Sequence, residues 1–119
     1  MNRYGFLHSE FRNSTAGSAK YHIIPVPFEA TVSYMGGTAL GPQAILEASL
    51  QLEQTAEGMG EPGIYGIHTK QAVDCSFEKS PQEVFSRIAD EIDSSLDMQA
   101  LPILLGGEHS ITNSAVELI

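Results

Sequence analysis

The 119-residue chain carries fifteen acidic against six basic side chains, a formal charge of −9, and 42% of it is hydrophobic. That length and apolar content suit one domain with one core, while the charge opposes nucleic-acid phosphate and anionic lipid. The lone cysteine, Cys75, excludes an internal disulfide, and neither a secretion signal nor an apolar run of the roughly 18 residues that span a bilayer is present, so a cytoplasmic setting is expected.

Residues 1–20 are polar and unpatterned, with Ser14, Thr15, Gly17 and Ser18 breaking any period, and read as an N-terminal surface arm. "YHIIPVPF" then predicts a short buried strand ended by Pro25 and Pro27, because proline donates nothing to a sheet ladder. The loop "EATVSYMGGTALG" leads into Pro42, a favoured first helical residue. Ile45, Ala48, Ser49, Leu52 and Ala56 recur at helical spacing and predict the apolar seam of that helix. Gly58, Gly60, Pro62 and Gly63 break it, and "IYGIHT" reads as a second strand.

Ser80, Pro81 and Glu83 have the order of an N-cap, a proline at the first helical position and the acid of a capping box, which predicts a helix from residue 81. Its apolar stripe is Val84, Phe85, Ile88, Ile92 and Leu96, with Asp90, Asp93 and Asp97 on the opposite, solvated face. "LPILL" reads as a continuous apolar strand and "SITNSAVELI" as a third helix. Strands alternating with helices at this spacing predict an α/β fold, three α/β/α layers around a parallel sheet.

In such sheets ligands sit beyond the carboxyl ends of the strands. Glu108 and His109 fall there, just after Gly106 and Gly107, whose lack of side chains permits a sharp turn and close approach. His109 is thus a candidate metal ligand or general acid/base, although a lone histidine so placed is more commonly a hydrogen-bonded structural residue. His8, His22 and His68 read as structural. Asp74, after the second strand, is a weaker candidate for the same rim. Cys75 has no paired thiol and no neighbouring base to activate it. "GGEHS" lacks the lysine of a phosphate-binding loop, which counts against a nucleotide-binding domain.

Two segments resemble one family. "PVPFEATVSYMGGTALGPQAILEAS", residues 25–49, is similar to the N-terminal signature of the agmatinase branch of the ureohydrolases, the arginase and agmatinase family. "PILLGGEHSIT", residues 102–112, is similar to that family's first metal-binding motif, Gly-Gly-Asp/Glu-His-Ser. The resemblance implies that residues 21–119 form the N-terminal part of a ureohydrolase domain, with only its first βα units. It further implies a binuclear Mn²⁺ centre at the strand ends, with His109 as its first ligand, and oligomeric assembly. Glu108 is not carried over as a ligand, and no catalytic residue is assigned.

The implied reaction is hydrolysis of a guanidino substrate, agmatine, to putrescine and urea in polyamine biosynthesis. A guanidinium is a poor electrophile, which is why two metals sharing a hydroxide suit it. Arginase, guanidinobutyrase and formimidoylglutamase activities remain open, as does a non-catalytic homologue acting as an assembly partner or surviving as a gene remnant. The family's Asp-x-His-x-Asp and Asp-x-Asp stretches do not occur before Ile119. The 119 residues alone are therefore expected to be inactive, to leave the "LPILL" strand with an open edge, and to fold poorly in isolation.

Overall fold

A computed structural model describes residues 5–6, 15–29, 37–50, 65–76, 79–107, 109–112 and 114. Three parallel strands, β1 (Tyr21–Val26), β2 (Ile67–Thr69) and β3 (Leu101–Gly106), form one sheet in the order β2-β1-β3. Two α-helices, α1 (Gly41–Ser49) and α2 (Pro81–Asp97), make the connections. This is the α/β arrangement expected from the alternation of strand and helix.

Pro25 lies inside the central strand, paired in register with Leu105 of β3, rather than ending it. The reason lies in the direction of its hydrogen bonds. Tyr21, Ile23 and Pro25 turn their backbone groups toward β2, as the bonds Tyr21 N–H to Gly66 O and Lys70 N–H to Ile23 O record. The last β2 residue, Thr69, pairs with Ile23, so the N–H that proline lacks falls beyond the partner strand, and its carbonyl still accepts from Val73 N–H at 3.0 Å.

Helix α2 begins where the sequence predicts. Ser80 Oγ accepts from Glu83 N–H at 3.2 Å, and Pro81 occupies the first helical position. Val84, Ile88 and Ile92 are buried with Ile24, Val26, Phe28 and Val73, and this cluster is the core. Full burial of each such side chain is worth about 1.5–3 kcal/mol. Asp90, Asp93 and Asp97 are exposed, as their phase requires. Leu96, however, is 49% exposed, and Ser95 is buried in the place expected for it. The helix ends in a Schellman turn, with Ala100 N–H on Ser95 O and Gln99 N–H on Leu96 O, both 2.9 Å.

Of the seam expected for α1, the described part holds only at Ser49. Pro42, Leu46 and Ser49 are buried, whereas Ile45 and Ala48 are exposed; Leu52 and Ala56 lie outside the described residues. The close seating of the first turn on β3 sets this rotation, since a Cβ on Gly41 would stand 3.0 Å from Gly106 O. β2 is also shorter than "IYGIHT" suggests. β3 is an edge strand in the described sheet, so Leu101 and Ile103 are 57% and 37% exposed rather than buried.

Candidate functional site

From β1 the chain passes to β2 on one side, and from β2 it crosses to β3 on the other. The carboxyl ends of β1 and β3 therefore flank the point where the winding reverses, the place at which open parallel sheets leave a crevice for ligands. Gly106 and Gly107 form one wall of it. Gly107 has a φ of 53°, a backbone shape costly for any residue with a Cβ. A Cβ there would also meet the carbonyl oxygen of Val26 and stand 2.9 Å from the backbone nitrogen and oxygen of Phe28. Gly107 must be a glycine because the turn presses directly on the end of β1.

That turn delivers His109 to the start of a short 3₁₀ segment, His109–Ile111, where its side chain is exposed while Ile111 anchors in the core. His109 is thus presented at the strand ends. Glu108 and His8 lie outside the described residues. Among the described residues no group of three or more histidine, cysteine or carboxylate side chains could hold a metal ion. The described donors therefore do not fit a binuclear centre by themselves.

Glu29, to which the sequence reading assigns no role, organises the wall formed by residues 37–39. Its Oε1 accepts from Gly37 N–H at 2.7 Å, Ala39 N–H at 3.0 Å and the Thr38 hydroxyl at 3.0 Å. The Ala39 and Gly37 N–H groups, with the Thr38 hydroxyl, hold its carboxyl below the usual carboxylate range. Gly37 takes the positive φ, 112°, that lets the chain fold back onto it. The available signal was an acid two residues past Pro27 facing a Gly-Gly across a short loop. Beside this wall a cavity of about 260 Å³ opens between Pro25, Pro27, Pro42 and Leu46, with the amides of Gln43 and Gln71 as polar lining.

The remaining candidates have partners of their own. Asp74 accepts from Ser76 N–H at 3.1 Å, and the Ser76 backbone and side chain lower its carboxyl. Burial, assisted by Asp74, pushes the Cys75 thiol up to about 11, which leaves it protonated and a poor nucleophile. His22 is buried, between Ser95 Oγ and the Ala16 carbonyl oxygen, each at 2.8 Å, and His68 packs edge-on against it. Both fit the structural reading.

A model of the arginase family matches residues 19–119. The chain belongs to the arginase family. A Synechocystis N(1)-aminopropylagmatine ureohydrolase is 36% identical over 117 residues, covering 93% of this chain and 38% of its own length. A Pyrococcus horikoshii agmatinase is 33% identical over 103 residues, covering 85% and 36%. The crystal structure of the agmatine ureohydrolase of Thermoplasma volcanium superposes with a TM-score of 0.73 at 25% identity, covering 93% of this chain and 38% of that one. This arginase-family chain thus spans well under half the length of the relatives it matches, and those relatives are named for hydrolysing guanidino compounds.

Proposed function

We propose that the chain forms the N-terminal portion of an agmatinase-type ureohydrolase, which hydrolyses a C–N bond of a linear guanidino amine and releases urea. The observation that carries this reading is the Gly106–Gly107 turn at the winding reversal, which leaves His109 exposed at the strand ends in an arginase-family chain. The substrate is agmatine or its aminopropyl derivative, a class supported by the names of the relatives at 32–36% identity. Hydrolysis of agmatine yields putrescine, a step of polyamine biosynthesis.

His109 serves as one ligand of a binuclear Mn²⁺ centre, and the other ligands come from outside the 119 residues. Imidazole and carboxylate donors suit Mn²⁺, and one imidazole does not hold two ions. The domain works in the cytoplasm as a homo-oligomer; among the described residues no helix is long and apolar enough to cross a membrane.

The test is complementation. The 119-residue chain is produced alone and together with the segment that follows the matched region in the Synechocystis relative, and urea release from agmatine and aminopropylagmatine is measured with Mn²⁺. The chain alone is expected to release none. The complemented pair releases urea in a reaction abolished by chelation and by His109→Ala. Urea release by the chain alone, or full activity of the complemented His109→Ala pair, overturns the reading.

A further inference from the structure

Glu29 sits beside the turn that delivers His109. The backbone nitrogen and oxygen of Phe28 stand 2.9 Å from where a Cβ on Gly107 would lie, and Glu29 is the next residue. Past the far end of the wall formed by residues 37–39, a Cβ on Gly41 would stand 3.0 Å from Gly106 O. The wall and its carboxylate are thus seated on the glycine turn from both sides, and His109 comes two residues after Gly107. With consecutive Cα atoms about 3.8 Å apart, these contacts keep the Cα atoms of Glu29 and His109 within roughly 15 Å of each other.

The carboxylate is exposed, and its bonds to Gly37 N–H, the Thr38 hydroxyl and Ala39 N–H all fall on Oε1. Among the described residues no donor is set on Oε2. The Ala39 and Gly37 N–H groups, with the Thr38 hydroxyl, also hold the group below the ordinary carboxylate range, so it is an anion at neutral pH. An acceptor fixed in this way has lost its rotamer freedom before any ligand arrives.

Linear guanidino compounds share the end that reacts and differ at the end that does not. Agmatine and its aminopropyl derivative carry an ammonium there, whereas the substrates of the other activities left open by the sequence carry a carboxylate. We propose that Glu29 selects the substrate by its tail: Oε2 accepts from the distal ammonium of a guanidino amine and repels the carboxylate of a guanidino acid. The inference rests on the hydrolytic reading, with the guanidinium end at the centre that His109 serves. Four extended methylenes place the tail nitrogen about 7 Å from the guanidinium carbon, a span that fits inside the separation of the two residues. Repulsion of the wrong tail contributes to the choice as much as attraction of the right one.

The complemented pair tests this with three compounds alike at the guanidino end: agmatine, butylguanidine, whose tail is uncharged, and 4-guanidinobutanoate. In the native pair kcat/KM is expected to fall in that order. In Glu29→Gln, which keeps an acceptor for residues 37–39, the ratio of agmatine to butylguanidine drops about fivefold, the size of a charge-assisted bond at a partly solvated site. The drop lies in KM rather than kcat, and 4-guanidinobutanoate gains relative to butylguanidine. A carboxylate that only holds the wall lowers all three alike, so unchanged ratios overturn the proposal. Urea from none of the three is a failure of the hydrolytic reading, and the 119-residue chain alone then decides the tail. The ¹³C resonance of the Glu29 carboxyl is followed against pH with agmatine or butylguanidine at equal ionic strength. A midpoint lowered further by agmatine supports the assignment; equal displacement by both, or none, overturns it.

Discussion

Gly107 lies against the carbonyl oxygen of Val26 so closely that no Cβ fits between the end of β3 and the end of β1. This contact sets the approach of the strand that presents His109, and it makes the two strand ends one mechanical unit. Gly107→Ala combines a left-handed backbone penalty with a collision against backbone that has no rotamer to change. A loss of about 2 kcal/mol or more is expected in denaturant unfolding. Gly17→Ala, with nothing within 4 Å of the new atom and no positive φ, serves as the neutral comparison.

Gln99 occupies the left-handed position of the Schellman turn after α2, with a φ of 60°. Glycine takes that shape without a Cβ penalty, so Gln99→Gly is expected to raise stability by about 1 kcal/mol. Its own N–H still reaches Leu96 O, and the exposed Gln99 side chain loses no core contact. A thermal midpoint that falls instead would refute the strain assigned to this position.

The Glu29 carboxylate is favoured by the three groups it accepts from, so its bonds to residues 37–39 are present above the ordinary carboxylate value and lost as pH falls through its lowered one. The amide resonances of Gly37 and Ala39 are expected to titrate together below about pH 4.5. Glu29→Gln removes that titration. Titration at the ordinary carboxylate value or above contradicts the geometry.

Cys75 is held as a thiol, pushed up to about 11 by burial and Asp74. Alkylation of the native chain near neutral pH is expected to be at least tenfold slower than for the unfolded chain, whose thiol has its ordinary value of roughly 8.5. Equal rates in denaturant and in buffer would show that the burial does not persist in solution.

Leu101 and Ile103 stand exposed on β3, an edge in the described sheet. Apolar edges recruit other chains. Leu101→Lys is expected to lower light scattering on concentration while leaving the unfolding midpoint within about 0.5 kcal/mol of the parent. Unchanged scattering would place the self-association elsewhere.

Much of the local structure is readable without coordinates because its causes are local. Ser80 and Pro81 start a helix through their own hydrogen bond and fixed φ, and the spacing of Val84, Ile88 and Ile92 is a property of the helix itself. The paired glycines before His109 announce a tight turn in the same way. Tertiary structure decided the rest, because each remaining feature depends on a neighbour distant in sequence. Pro25 stays in a strand only because β2 stops at Thr69, and α1 shows Leu46 rather than Ile45 to the core because its first turn rests on Gly106. Glu29 acquires a role only when residues 37–39 fold back onto it. His22 meets Ser95, 73 residues away, only once a strand and a helix have packed. Hydrophobic period and capping chemistry are written along the chain, whereas the partner of a buried polar atom exists only after the chain has closed on itself.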